Sequence, residues 1–146
     1  PGAPLAAVVW QSGGIVAGSD TLVSELLTRT GFTNLAAAQG LRQAQVLPLE
    51  VMLAHPPRVI LAAGGHGANE DRMLAHPALA GLKHTRREAL DPALLWCGGP
   101  TIPRLAERLA ATRTTPQPPP LKRRGSHEAP SSSEEGVGGG GGRIRR

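Results

Sequence analysis

The stretch Val46-Leu47-Pro48-Leu49-Glu50-Val51-Met52-Leu53-Ala54-His55-Pro56-Pro57-Arg58-Val59-Ile60-Leu61-Ala62-Ala63-Gly64-Gly65 decides how the chain folds. Pro48 suits the first turn of a helix, where its missing N–H costs nothing. Leu49, Met52 and Leu53 follow at i, i+3 and i+4 and predict one apolar helix face. Pro56 and Pro57 cannot continue a helix, so the chain turns there. Val59, Ile60 and Leu61 with two alanines form the continuous apolar run of a strand covered on both faces. Gly64 to Asn69 then reads as a flexible loop. Glu50 is the one acidic group on the short helix. A carboxylate in a first helical turn is stabilised by unpaired N–H groups and the dipole, by about 0.3–1 kcal/mol. Nothing in spacing or charge asks more of it.

Working toward the start of the chain, Leu5 to Trp10 is a second apolar run fit for a buried strand. Gln11-Ser12-Gly13-Gly14 follows as a loop, and Ser19 or Asp20 is placed to cap the next helix. Leu22, Val23, Leu26 and Leu27 give that helix its apolar face, and Gly31 stands where a left-handed C-terminal residue is wanted. Phe32 to Gln45 is mixed in character and predicts irregular structure, with Asn34 and Gly40 as turn residues.

Beyond the organising stretch, Glu70 to Leu82 predicts a short helix broken at His76-Pro77. Lys83 to Glu88 reads as basic and exposed, and Ala89-Leu90-Asp91 as a short last strand or merely extended chain. Leu94 to Pro100 is an apolar segment entering a second double-glycine loop. Thr101 is placed to cap a final helix, with Pro103 in its first turn and Leu105 and Leu109 facing inward. Alternating strands, loops and helices predict an α/β fold: a single Rossmann-like layer with a largely parallel sheet flanked by helices. Ligands of such sheets sit outside the carboxyl ends of the strands. The pairs Gly13-Gly14, Gly64-Gly65 and Gly98-Gly99 would share that rim.

Composition divides the chain into a folded unit, residues 1–113, and a Pro/Ser/Gly-rich basic tail, residues 114–146. The tail contains only Leu121, Ala129, Val137 and Ile144 as apolar side chains, too few to offset the entropy of ordering, and it predicts disorder. Residues 1–113 hold ten Lys and Arg against eight Asp and Glu, a net charge of +2, and the tail six against three, +3. The high isoelectric point is therefore weighted toward the tail and is poor evidence for a nucleic-acid-binding surface, so no nucleic-acid partner is expected. Trp10, Phe32 and Trp96 are the only aromatic residues, so stacking platforms for bases are missing as well. A single cysteine, Cys97, excludes an internal disulfide. No apolar run approaches the ~20 residues of a spanning helix, and no signal peptide is visible. The opening Pro1-Gly2-Ala3-Pro4, without methionine, reads as part of a longer protein.

The motifs that carry chemistry are sparse. The Gly13 to Asp20 loop invites phosphate binding but lacks both the lysine of a P-loop and the G-x-G-x-x-G spacing. His55, His66, His76 and His84 show no zinc-ligand spacing, so no metal site is expected, although His66 lies on the glycine loop of the rim. Cys97 beside a histidine is a chance-level nucleophile signal, and an inert thiol is the simpler reading. Trp96 either presents an apolar wall to a large planar ligand or packs into the core.

Taken in order, the pieces Gly18-Ser19-Asp20-Thr21 to Asn34, Leu47-Pro48-Leu49-Glu50 to Leu61, and Cys97-Gly98-Gly99-Pro100-Thr101-Ile102-Pro103-Arg104-Leu105 resemble a known family. It is the C-terminal lobe of ABC-transporter substrate-binding proteins for iron complexes, haem and cobalamin. The resemblance covers about residues 5–112, and its most specific pieces are Gly31 to Asn34, then Glu50, Leu53 and Pro57 to Leu61. It implies half of a two-lobe protein, periplasmic or lipid-anchored, that holds a metal chelate in the cleft between lobes and delivers it to a membrane permease. It implies no catalysis and no cofactor of the protein's own, and a monomer as the working form. By the resemblance, Glu50 aligns with a glutamate that docks on permease arginines, and Gln11, Ser12, His66, Trp96 and Cys97 are the candidates for the cleft rim. The family often carries Gly-Pro-Arg before its last helix, where this chain has Gly99-Pro100-Thr101. With no tyrosine in the chain either, a bulky electroneutral ligand such as a cobalamin-like corrinoid fits slightly better than an anionic one. The alternative is a small α/β enzyme domain whose glycine loops bind a phosphate or nucleotide; a third reading gives the piece no independent function.

Overall fold

The computed structural model describes residues 2–64, 72–96 and 98–116. His66, Cys97, most of the glycine loop from Gly64 to Asn69 and nearly all of the expected tail lie outside these residues. The chain runs β1 (Leu5–Gln11), β2 (Ile15–Val16), α1 (Leu22–Arg29), β3 (Phe32–Asn34), α2 (Leu35–Ala38), β4 (Gln45–Val46), α3 (Leu49–Ala54), β5 (Val59–Ala63), α4 (Pro77–Ala80), β6 (Arg86–Ala89) and α5 (Thr101–Thr114). Single 3₁₀ turns lie at Ser12–Gly14 and Pro92–Leu95.

The two apolar runs lie at the centre of the sheet. β1 pairs in parallel with β5 from Ala7 opposite Val59 to Gln11 opposite Ala63, and β5 pairs in parallel with β6. On its other side β1 takes β3 in parallel along its first half and β2 antiparallel at its last two residues, with β4 beyond β2 as the outer strand. Because side chains alternate along a strand, each run feeds both faces. Ala7, Val9, Val59 and Leu61 pack with Leu26, Leu27, Leu105 and Leu109 of α1 and α5. Val8, Trp10 and Ile60 pack on the opposite face with Leu35, Leu47, Met52 and Leu79.

Several local expectations are corrected by long-range pairing. The cap of α1 is Thr21, not Ser19 or Asp20: its hydroxyl accepts from the Ser24 amide (3.2 Å) and donates to the Gly18 carbonyl (2.7 Å). The reason is that Gly18, Ser19 and Asp20 donate their amides to the carbonyls of Gln43, Leu41 and Arg42, which delays the helix start. Gly31 has the expected left-handed backbone, φ +86°. Phe32 to Gln45 is not irregular but forms β3, α2 and β4. Asn34 is a buried tie there: Nδ2 donates to the Ala17 carbonyl and the Ser24 hydroxyl, and Oδ1 accepts from the Ala36 amide.

Pro48 precedes α3 instead of entering its first turn, and Met52 is its one buried residue, with Leu49 and Val51 partly covered and Leu53 40% exposed. Residues 72–75 form turns, and α4 begins only at Pro77, capped by His76 Nδ1. Lys83 to Glu88 is not uniformly exposed, because its second half is β6. The last strand therefore ends at Ala89, leaving Leu90 and Asp91 beyond it, and the Arg86 side chain is only 9% exposed. Thr101 is the first residue of α5, not its cap; its hydroxyl donates to the carbonyls of Trp96 and Gly98 (both 2.9 Å) and holds the preceding loop.

Candidate functional site

The parallel strands put the ends of β1 and β5 level, so the turn Ser12–Gly14 and Gly64 emerge along one carboxyl edge, as the glycine pairs suggest. Both long helices begin at that edge. α1 ends at Arg29, two residues before Gly31, whose carbonyl accepts from the Leu5 amide at the amino end of β1, so Leu22 lies at the carboxyl end. α5 ends where Thr112 meets Arg86 at the start of β6, so Thr101 and the loop carrying Trp96 lie at the carboxyl end too.

Gln11 is half-buried at the tip of β1 and Ser12 is exposed on the turn after it. Gly13 and Gly14 both have positive φ (+77° and +81°), which an L side chain rarely adopts. A side chain on Gly14 would also meet the Met73 sulfur at 3.1 Å and Trp10 at 3.3 Å. The Gly14 carbonyl accepts from the Leu47 amide (3.0 Å), which fixes β4 to the rim.

Trp96 is 75% exposed, so the core-packing alternative is excluded. Its ring borders a small apolar groove, about 50 Å³, with Leu22, Leu94, Leu95, Thr101 and Ile102. Gln11 and Ser12 share the edge with Trp96 but not this groove. Sequence reasoning missed two further rim residues, Ile15 and Val46. They pair across β2 and β4 and stand 38% and 58% exposed. The β-branched doublet Ile15-Val16 directly after two glycines was the signal for a turn entering a short strand. His66 and Cys97 lie outside the described residues.

An ion pair stands at this edge. Asp20 accepts from the Ser19 hydroxyl (2.9 Å) and from Arg42, whose Nη2 lies 2.8 Å away. The Ser19 hydrogen bond first, then Arg42, hold its carboxyl below the usual carboxylate range. The amides of Gly18 to Asp20 are spent on backbone carbonyls, so these three offer no free nest for a phosphate. No three His, Cys, Asp or Glu side chains converge to hold a metal ion among the described residues. Glu50 lies exposed on the first turn of α3 and makes no hydrogen bond or ion pair among the described residues.

Residues 3–88 match the sequence family described as periplasmic binding protein. Solved structures share the fold. The periplasmic haem-binding protein HutB of Vibrio cholerae aligns with a TM-score of 0.61 at 24% identity, over 79% of this chain and 49% of its own. A periplasmic haem-binding protein from Pseudomonas aeruginosa aligns at 0.59 and 27%, over 75% and 43%. The periplasmic haem-binding protein RhuT from Roseiflexus aligns at 0.54 and 25%, over 75% and 44%. The chain thus spans less than half the length of each of these structures. No curated protein matches the sequence.

Proposed function

The chain belongs to the periplasmic binding protein family, and from that premise we propose that it acts as one lobe of an ABC importer's substrate-binding component. Its cargo on this reading is a bulky metal chelate, electroneutral on the side that meets this lobe, and it works outside the inner membrane. The observation that carries the reading is the rim itself. Trp96, Leu22, Ile15 and Val46 expose apolar surface along the edge where α/β sheets bind ligands, while Gln11 and Ser12 supply neutral polar groups. Thr101 stands where an arginine would meet an acidic chelate, and its hydroxyl is already committed to the loop. The haem-binding names of the structural neighbours support a macrocyclic cargo. The role asks for no bond making or breaking: the lobe holds its cargo and releases it to a permease. Glu50, exposed and unpaired among the described residues, is the proposed docking contact for permease arginines.

Fluorescence titration of the chain with haem, a corrinoid and a ferric hydroxamate tests the reading. Trp10 is buried and Trp96 exposed, so a chelate on the rim quenches chiefly Trp96. The expected result is saturable quenching by a macrocyclic chelate, with affinity about tenfold lower in Trp96→Ala, the scale of one well-packed aromatic contact. Glu50→Arg should leave this titration unchanged while lowering uptake in a reconstituted importer. Saturable binding of a nucleotide with no response to any chelate would replace this reading with that of an enzyme domain.

A further inference from the structure

The opposite edge of the sheet carries a different chemistry. At the amino ends of β1, β5 and β6, a cavity of about 150 Å³ is lined by Leu5, Arg58, Val59, Arg86, Arg113 and Thr115. The fold brings its three arginines together from remote positions. Arg58 directly precedes β5, with its amide on the Ala6 carbonyl (2.7 Å) and its carbonyl on the Arg86 amide (2.8 Å). Arg86 opens β6 opposite Val59, and Arg113 lies in the last turn of α5.

Their partners leave positive charge uncompensated. Arg86 donates to the Thr112 and Thr115 carbonyls at the end of α5. Its buried Nε lies 3.2 Å from Glu88 but off the line of a hydrogen bond, so that contact is ionic and the N–H has no aligned acceptor. Glu88 is in turn shared with Arg108 at 3.4 Å. Among the described residues Arg113 donates only to the neutral carbonyls of Gly31 (3.2 Å) and Ala3 (2.9 Å). The Arg58 guanidinium has no hydrogen bond or ion pair among the described residues. Around one cavity there are therefore two tied cations, Arg86 and Arg113, and one free one, Arg58, against Glu88 as the one carboxylate paired there among the described residues, and it also serves Arg108. The carbonyls at the end of α5 offset part of this, by about half a charge. Arg58 also borders a second, open depression with Lys83 and His84, and Lys83 extends the positive field.

We propose that this amino edge is a binding site for a phosphate group. Arg58 supplies the free planar fork that matches its oxygens, and Arg86 and Arg113, held by the fold, fix the field behind it. The group comes either as free phosphate or on an anionic lipid headgroup. The site lies at the end of the sheet away from the rim and does not depend on the reading of the rim. Arg58 anchors nothing else through its side chain, so it can be changed without disturbing the fold.

The test is an amide-resolved NMR titration of the full chain with inorganic phosphate, against chloride at matched ionic strength. Saturating shifts at Leu5, Arg58, Val59 and Arg86 are expected with phosphate only. Arg58→Gln should weaken binding by about tenfold, the loss of a charge-assisted hydrogen bond, with an unchanged thermal melt. Cosedimentation with phosphatidylglycerol but not phosphatidylcholine vesicles, lost in Arg58→Gln, would identify the headgroup as the source; phosphate shifts without Arg58-dependent vesicle binding would identify the free ion. Equal shifts with chloride, shifts confined to the tail's basic residues 122–124, 143, 145 and 146, or an unchanged Arg58→Gln affinity would each overturn the proposal.

Discussion

The two ends of one sheet are built on opposite plans. At the carboxyl edge the strands finish in glycines and neutral side chains, and the apolar residues Trp96, Val46, Leu22 and Ile15 stay exposed. The amino edge carries Arg58, Lys83, His84, Arg86 and Arg113, and two of the arginines clamp backbone carbonyls. The rim is positioned by backbone: Gly18 to Asp20 pair with Leu41 to Gln43, and Gly14 pairs with Leu47. The amino edge is positioned by side chains. A rim held by its own backbone leaves its side chains free for a ligand, whereas arginines that anchor a helix end are mostly committed to structure. Arg58 is the exception, which is why it carries the proposal for that edge.

This contrast can be broken at either end. The largest expected effect is at Gly18, where an added Cβ would meet the Leu41 oxygen and the Arg42 carbonyl carbon at 2.5 Å and the Gln43 oxygen at 2.6 Å. Those neighbours are backbone and cannot rotate away, so Gly18→Ala should lower stability by about 3 kcal/mol, the upper end for overpacking. A shift under about 1 kcal/mol in urea denaturation would show that side chains, not backbone pairing, hold the rim. Next comes Arg86→Met, which keeps much of the stem but removes the ties to the end of α5. A loss of about 2 kcal/mol is expected, within the range for hydrogen bonds to a charged group. Faster amide exchange should be confined to the last turn of α5, and an unchanged exchange pattern there would deny the clamp.

The smallest effect is the pH dependence of the exposed Asp20–Arg42 pair. The folded carboxyl is depressed, so its contribution is present above the unfolded carboxylate pKa of about 3.9 and is lost as the pH falls through the lower folded value. Asp20→Asn should therefore leave the urea midpoint at pH 7 almost unchanged, because exposed ion pairs contribute little and salt screens them. Acid unfolding of the variant should begin no later than that of the parent. Greater acid resistance in Asp20→Asn would reverse the sign assigned to this pair.

Much of the fold was legible from the chain itself. Leu5 to Trp10 and Val59 to Ala63 have no polar interruption, and such runs become buried central strands. The apolar spacing and the glycine at its end marked α1. The region from Phe32 to Gln45 was misread because β3 has three residues and α2 four, too short for any periodicity to show. The rim was legible as a place, through its glycine pairs, but only partly as a set of side chains. Gln11, Ser12 and Trp96 do lie on the carboxyl edge, yet Ile15 and Val46 acquire meaning only as a cross-strand pair.

By itself the sequence determined the α/β class, the two central strands and the left-handed end of α1 at Gly31, since these follow from local composition and backbone sterics. Only the tertiary structure decided that Thr21 caps α1 in place of its neighbours, that Trp96 stands in solvent and that Arg86 is buried. The first and last of these depend on partners remote in the chain, Gly18 to Asp20 with Leu41 to Gln43, and Arg86 with Thr112. Folding brings such groups together through hydrogen bonds whose geometry no local propensity encodes.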